Sequence, residues 1–202
     1  MRTRPLSASL LKAAPLAAAM LLLPGCLSLG AKVPPTLYTL TASAQVPAGA
    51  TFSGNPRTAI MVMEPDTDQR LAAVRVPVQV DDTNVAYLKG AAWVERPSRL
   101  FRALLAETLR AKTSTLVVED SQAEISIGTR LSGRLIDMGY DARSSSVVVR
   151  FEAVRSGASG TVTTKRFESV VPGVLAKPEL VGPALNQAAN AVAGQVADWA
   201  GG

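Results

Sequence analysis

Residues that could carry out chemistry are scarce in this sequence. Its 202 residues include one cysteine, Cys26, and no histidine. Without histidine, a Ser-His-Asp or Cys-His arrangement, a His-containing zinc site and the usual imidazole general base are all excluded. A lone cysteine also excludes a disulfide within the chain. We therefore expect no enzyme and no cofactor, and Cys26 is the residue whose chemistry has to be explained.

Acidic residues occur in two close pairs, and neither pair has the spacing of a metal site. Asp66 with Asp68, and Asp81 with Asp82, lack the 1-3-5-12 ligand order and central glycine of a calcium loop. Such residues are typical of turns, where an Asp side chain accepts hydrogen bonds from nearby backbone N–H groups. We predict turns at both places and no bound metal.

The segment before Cys26 has the organisation of a secretory signal. Residues 1–12 carry three basic side chains and no acidic ones, and residues 13–23 carry no charge. A basic start followed by a short apolar run is typical of an export signal. The run is too short for a transmembrane helix, which needs about 20 residues. We predict a signal peptide over residues 1–25.

The end of this signal indicates what happens to Cys26. Leu23-Pro24-Gly25-Cys26 resembles the lipobox recognised by the lipoprotein signal peptidase, although Pro24 stands where Ala, Ser, Thr or Val is usual. We predict cleavage before Cys26 and acylation of its thiol and amine. Several acyl chains, at about 0.8 kcal/mol per buried CH₂, make such an anchor effectively permanent. Leu27 rather than Asp follows, which favours the periplasmic face of the outer membrane.

Two plainer interpretations of Cys26 stay open. The signal could be an ordinary cleaved one with a chance cysteine beside it, or Cys26 could pack in a core. Both leave an unpaired thiol in an oxidising compartment, where a free cysteine is a liability. The sequence therefore favours lipidation.

The residues after Cys26 read as a tether. Residues 27–36 hold Gly30 and the pair Pro34-Pro35 and show no hydrophobic periodicity. Ten residues allow the domain to stand up to about 35 Å from its anchor, at about 3.3 Å per residue. The organisation predicted is a signal peptide over 1–25, a lipidated cysteine and tether over 26–36, and one domain over 37–202.

The net charge of +5 does not indicate nucleic-acid binding. Three of the 21 basic residues and none of the 16 acidic ones precede Cys26, which leaves 18 basic against 16 acidic residues, a balance of +2. The remaining basic residues are dispersed and carry few aromatic neighbours for stacking on bases. We therefore exclude nucleic acid as a partner.

Strand patterns occupy much of the domain. Residues 58–63 form a continuous apolar run between prolines, typical of a strand covered on both faces. Residues 71–80 alternate partly, with Pro77 indicating an edge, and a turn at 81–84 precedes a short strand at 85–88. A short strand also fits 37–41, and another fits 115–119. Alternation predicts a strand over 124–138, which Gly133 bends, and the pattern of 146–170 predicts an antiparallel hairpin.

Two helices complete the pattern. One begins at Pro97, whose missing N–H is not needed at a first helical position, and leucines at helical spacing follow over 100–109. The other is an Ala-rich helix over 178–199, with Pro183 able to kink its first turns. The fold class predicted is α+β: a mainly antiparallel sheet with two principal helices packed on one face.

The middle of the chain resembles a known family. The segments 71–76 (LAAVRV) and 85–95 (VAYLKGAAWVE), followed by the helix over 100–109, are similar to the ABC-type transport auxiliary lipoproteins, which show a strand, a tyrosine-containing short strand, a Trp-Ala-Glu-like triplet and a Leu-rich helix. Val94 stands where Ala is common. The tyrosine-containing run at 37–40 also resembles the strand that opens the family's domain.

The resemblance implies a function and partners. Such lipoproteins accompany an ATPase, a permease and an MCE-domain protein, in systems that move lipids or other hydrophobic molecules between inner and outer membranes. The family has no active site to carry over. Two other functions stay open on the residues alone: a periplasmic carrier that encloses a lipid or small molecule, and a structural lipoprotein of envelope assembly. The oligomeric state is open as well.

Three aromatic residues are candidates for contact with a partner or a lipid. Tyr87, Trp93 and Phe101 could line an apolar docking patch, or they could join strand to helix inside the core. Aromatic residues bury large areas whatever the function, so the core interpretation is favoured.

Overall fold

The computed structural model of the protein describes residues 36–119 and 127–201. The described chain forms ten strands, one 3₁₀ turn and two helices. The strands are β1 (Thr36–Tyr38), β2 (Ile60–Val62), β3 (Asp66–Thr67), β4 (Pro77–Gln79), β5 (Val85–Tyr87), β6 (Ala91–Trp93), β7 (Val117–Glu119), β8 (Thr129–Asp141), β9 (Ser146–Gly157) and β10 (Val162–Val171). The helices are α1 (Pro97–Lys112) and α2 (Pro178–Gly201), and the 3₁₀ turn is Pro56–Thr58.

Three long antiparallel strands, β8, β9 and β10, form the main part of the sheet. Alternation along β9 decides which side is buried: Val147, Val149 and Phe151 are inaccessible, whereas Arg150 and Glu152 lie on the other face. Successive side chains of a strand point to opposite faces of the sheet, so every second residue is buried when one face is covered and the other is open. The predicted hairpin over 146–170 is thereby confirmed.

Three short strands share the other side of β8. From the start of β8 to its end, β2, β3 and β4 pair with it in turn, all parallel to it, and β5 returns antiparallel to β4. β7 lies beyond β2, also parallel. A separate two-stranded sheet joins β1 and β6 in parallel. The long pairings are therefore antiparallel, whereas each short strand beside β8 is parallel to it.

Both helices cover the same face of the sheet. α1 starts at Pro97 as predicted and buries Phe101, Leu105 and Leu109. α2 packs against α1, β9 and β10, and its buried stripe includes Leu185 and Val192. Alanines between these residues let the two helices approach closely. The predicted α+β class, with two helices on one face of a mostly antiparallel sheet, is confirmed.

Several boundaries differ from the sequence prediction. The strand expected over 71–80 is formed only from Pro77 onward, because proline lacks the N–H needed within a ladder and so begins β4. In the strand expected over 124–138, residues 124–126 lie outside the described part of the chain, and β8 begins at Thr129. The predicted signal peptide, lipobox and most of the tether also lie outside it. No helix of the described ranges is long and apolar enough to span a bilayer.

Candidate functional site

A cleft of about 400 Å³ opens where the β4–β5 hairpin meets β8 and β9. Arg150, which lines it, alternates along β9 with side chains that pack under the helices, so the cleft lies on the sheet face away from them. Its lining combines both charge signs: Arg70, Arg143 and Arg150 with Asp82, Asp137 and Asp141.

Arg70 holds the floor of this cleft together. Its Nε donates to Asp68 at 2.9 Å, and its Nη2 donates to Asp137 and to the carbonyl oxygen of Ile136, both at 2.7 Å. Nη1 donates to Gln79 at 3.2 Å. Burial alone would lower the pKa of Arg70, but the hydrogen bond to Asp68 and the charge of Asp137 outweigh it and raise that pKa above its usual value. Arg70 is therefore a fixed positive charge that joins β4 to β8.

Local backbone geometry explains why these groups meet. Asp68 accepts hydrogen bonds from the N–H groups of Arg70 and Leu71, a turn typical of aspartate, and Leu71 is buried below it. A bulge in β8 between Leu135 and Asp137 disturbs the regular ladder. Bulged residues leave the ladder locally unpaired, which makes the carbonyl of Ile136 available to Arg70.

Charged residues of alternating sign continue from the cleft across the open face. In one row of cross-strand neighbours, Arg150 of β9 lies between Asp137 of β8 and Glu168 of β10 and pairs with both. In the adjacent row, Arg134, Glu152 and Arg166 stand opposite one another in register. Arg166 reaches Glu152 at 2.6 Å. We call these six residues the charged face. Opposite charges at facing positions stabilise adjacent strands.

The rim of the cleft is formed at the β8–β9 turn. Arg143 pairs there with Asp141 at 3.0 Å and with Asp82 of the facing hairpin. The hydrogen bond from the Arg143 side chain holds the pKa of Asp141 below its usual value. In the same hairpin, Asp81 accepts hydrogen bonds from the side-chain amide of Asn84 and the N–H of Thr83, which lowers its pKa to about 2.

The chemistry of the cleft is that of fixed charge. Arg70, Arg143 and Arg150 each pair with a carboxylate, and the pKa shifts of Arg70, Arg143 and Asp141 all favour their charged forms. Groups locked in their charged forms near neutral pH are poor proton carriers. Such an arrangement suits polar docking. The turn predicted at Asp66 and Asp68 is wrong for Asp66, which pairs with β8 as the first residue of β3, whereas Asp68 does form a turn. Among the residues that the structure describes, neither acidic pair belongs to a group of side chains that could hold a metal ion.

A second feature lies where the chain enters the domain. Residues 38–43, the N-terminal strap, run along α2. The hydroxyl of Tyr38 donates to the carbonyl of Pro178 at 2.5 Å. The N–H of Thr41 donates to Asn186 at 2.8 Å, and Asn190 accepts from the N–H of Ser43 at 2.7 Å. The strap is thereby fixed to the first half of the helix.

Two of the predicted aromatic candidates lie in the core. Trp93 is 2% exposed, and its ring meets that of Tyr38 edge-on at 5.6 Å between centroids. Phe101 is inaccessible and its ring lies 5.1 Å from that of Phe151, which joins α1 to β9. These two side chains therefore hold the strap and the first helix onto the sheet.

Tyr87 has a different environment. It is half-buried on β5, and the guanidinium of Arg75 lies 3.8 Å above its ring, a cation–π contact. The three aromatic candidates thus have three different ring or cation neighbours. Cys26 and the recognition residues Leu23, Pro24 and Gly25 lie outside the described residues, and their roles stay predictions.

Comparison with family models decides the family. The model of the ABC-type transport auxiliary lipoprotein component matches residues 38–197. This chain belongs to that family. The match begins at Tyr38 of the strap and ends within α2, so it includes β2 to β10, α1 and most of α2.

Two solved structures share the fold of this chain. Protein XCC0632 from Xanthomonas campestris superposes with a TM-score of 0.66 at 15% identity, over 81% of this chain and 93% of that one. A second crystal structure, of an uncharacterized protein, gives a TM-score of 0.64 at 15% identity, over 81% of this chain and 97% of that one. At such identity the likeness shows the fold alone. Among curated proteins, no sequence matches this chain.

The charged cleft and the strap were beyond the reach of sequence reasoning. Arg150 and Glu152 could be assigned to the open face of a strand from their alternation with apolar residues. Their partners could not be assigned, because Asp137 and Glu168 become neighbours of Arg150 only through strand register. Asn186 and Asn190 carry a weak signal, two amides four residues apart on one helix face, which is a spacing that can hold an extended segment.

Proposed function

We propose that this auxiliary lipoprotein is the outer-membrane component of an ABC/MCE-type system that moves lipids or other hydrophobic molecules between inner and outer membranes. In this proposal it catalyses nothing and acts by position. Acyl chains on Cys26 anchor it to the membrane at its periplasmic face, and the domain receives the MCE-domain partner of the permease and ATPase. Family membership supports the transport role.

The observation that carries this proposal is the N-terminal strap. A lipid anchor positions a domain only if the chain beyond the tether is fixed to the fold. Tyr38, Thr41 and Ser43 are fixed by hydrogen bonds to α2, and the Tyr38 ring is packed against Trp93. Force applied through the tether is therefore transmitted to the longest helix and to the core.

The charged cleft supports the docking part of the proposal. The rim of the cleft is accessible: the Arg143 side chain is 48% exposed and that of Asp82 is 88% exposed. Charged groups at an accessible rim set the partner and the rate of encounter more than the affinity. We assign the docking of the MCE-domain partner to this rim.

Affinity purification of the full-length protein from membranes in mild detergent tests the proposal. We expect the MCE-domain protein and the transporter to co-purify with wild type. Arg143→Glu should reduce their recovery, and Arg57→Glu, on the exposed 3₁₀ turn, should not. Recovery of neither partner in several mild detergents contradicts the proposal. Native mass spectrometry that finds a tightly bound lipid would instead favour the carrier function.

A further inference from the structure

β10 is a long strand at the edge of the main sheet. It extends over ten residues, about 33 Å at 3.3 Å per residue, and pairs with β9 on one side. No strand of the described ranges pairs with its other side. Val162 is 59% exposed and Val170 is 47% exposed. An edge of this length presents a row of unpaired N–H and C=O groups, which natural proteins usually shorten or cover.

The geometry of an antiparallel pair of β10 strands can be derived from the known faces. A two-fold axis perpendicular to the sheet keeps each residue on its own face, so facing residues must both belong to the open face or both to the helix-covered face. Phe167 faces the helices, and Arg166 and Glu168 belong to the open face. With the axis at Phe167, Arg166 of each copy stands opposite Glu168 of the other.

From this complementarity we propose that β10 pairs antiparallel with β10 of a second copy, centred on Phe167. Two Arg166–Glu168 pairs flank the axis. The row of Arg134, Glu152 and Arg166 then continues into Glu168, Arg150 and Asp137 of the second copy. Charges alternate without interruption across six strands of a joined sheet.

Neighbouring registers lack this complementarity. An axis at Arg166 places the two Arg166 side chains opposite each other, and an axis at Glu168 does the same with the two glutamates. An axis at Lys165 opposes two lysines. Like charges at facing positions destabilise a strand pair. Of these four registers, the one centred on Phe167 brings opposite charges together.

Arg166 has the capacity for the additional partner. Glu152 accepts from its Nε at 3.2 Å and from its Nη2 at 2.6 Å. A guanidinium carries five N–H donors, so Nη1 is left for a second carboxylate. The Arg166 side chain is 60% exposed, and that of Glu168 is 43% exposed. On the covered face, Phe167 packs against Trp199 at 5.7 Å between centroids, so two copies would bring two such ring pairs together.

Cysteine cross-linking of the full-length protein in mild detergent tests the register. In the proposed pair, Thr164 faces Val170 of the second copy, with Cβ atoms about 5 Å apart. Within one strand the same two residues lie about 20 Å apart, so any link between them joins two copies. Thr164→Cys mixed with Val170→Cys should give covalent dimers with a short thiol cross-linker. Either variant alone should not, and this control also covers any reaction at Cys26.

Charge reversal tests the interface independently. Arg166→Glu places glutamates opposite each other twice and should raise the dimer dissociation constant about tenfold or more. Arg134→Glu makes the same charge change two strands away from the edge and should leave dimerisation unchanged. Size-exclusion chromatography with light scattering measures both.

The outcomes separate cleanly. A wild-type protein that is monomeric at micromolar concentration overturns the proposal, as does equal cross-linking of the single variants or equal weakening by Arg134→Glu. A different strand seated on β10, whether from residues 1–35 or from another protein, would also overturn it, because hydrogen exchange would then show β10 protected in a monomer. The proposal is supported if Thr164→Cys and Val170→Cys cross-link only when mixed, and if Arg166→Glu weakens the dimer while Arg134→Glu does not.

Discussion

Tyr38 and Trp93 meet edge-on, with ring centroids 5.6 Å apart and planes at 78°, at the point where β1 pairs with β6. The contact joins the residue that begins the strap to the last residue of β6. Offset and edge-on aromatic pairs contribute about 0.5–1.5 kcal/mol beyond burial. The indole Nε1 of Trp93 is buried and has no hydrogen-bond partner among the described residues.

Two substitutions at Trp93 should therefore behave very differently. Trp93→Ala should lower the free energy of unfolding by about 3–5 kcal/mol, because it leaves a cavity under the strap. Trp93→Phe should cost less than about 1.5 kcal/mol, since it keeps a ring and removes the unpartnered N–H. Urea unfolding followed by circular dichroism measures both. If both variants lost the same free energy of unfolding, an aromatic ring at position 93 would contribute little by itself.

The contribution of Tyr38 to the free energy of unfolding should be lost at alkaline pH. Burial, and secondarily the charge of Glu179, raises its pKa from 10.0 to about 12. A raised folded-state pKa means that the contribution is complete below pH 10 and is lost as pH rises toward 12. Tyr38→Phe, which removes the hydrogen bond to Pro178, should cost about 1 kcal/mol at neutral pH. The variant should also lose less stability than wild type between pH 10 and 12, measured by urea unfolding.

Asp81 should titrate at about pH 2 because of its turn. The amide of Asn84 and the N–H of Thr83 stabilise the carboxylate and lower its pKa from 3.8. The turn's contribution is therefore complete above about pH 3.8 and is lost as pH falls toward 2. Asn84→Ala should move the pKa back toward 3.8 in a carboxyl NMR titration. Gln45→Ala, which removes an exposed amide elsewhere, is the control and should leave it unchanged.

Gly133 of β8, where the sequence predicted a bend, should tolerate no side chain. Its φ is +152°, and a Cβ there would lie 2.1 Å from the carbonyl oxygen of Glu152. We expect Gly133→Ala to destabilise the protein by about 3 kcal/mol or more. Gly157→Ala is the matched control, because its Cβ would meet ordinary contacts of 3.7 Å or longer. If thermal unfolding finds the two variants equally stable, the close contact between Gly133 of β8 and the backbone of Glu152 in β9 is contradicted.

Parts of the fold with a local pattern were predictable, and parts assembled across the chain were not. Pro97 and the leucines after it predict α1, and alternation around Phe151 predicts the β9–β10 hairpin, because both depend on neighbours in sequence. The parallel pairing of Ile60 with Thr129 has no local signal. The charged cleft depends on such pairings, so its residue types were visible in the sequence and its geometry was not.

Replacement of Cys26 tests the anchor. Cys26→Ser should release the full-length protein from the membrane or mislocalise it, and should leave its circular dichroism unchanged, because the described domain begins ten residues later. Ser28→Ala, in the same tether, should stay in the membrane fraction. Membrane fractionation with mass spectrometry of the N-terminal peptide measures both. A Cys26→Ser protein that still supports the envelope as well as wild type would contradict positioning by lipid as the mechanism.

The side-by-side placement of β2, β3 and β4 along β8 bears on how the protein is made. Residues 60–79 leave the ribosome before β8, the strand with which β2, β3 and β4 all pair. β4 can pair early with β5 and β2 with β7, but the pairing of β2, β3 and β4 with β8 must wait until 129–141 has emerged. Until then the apolar strand β2 (Ile60–Val62) lacks β8, its neighbour on one side, and can associate with other chains. We expect the newly exported chain to depend on a holding chaperone most strongly during this interval.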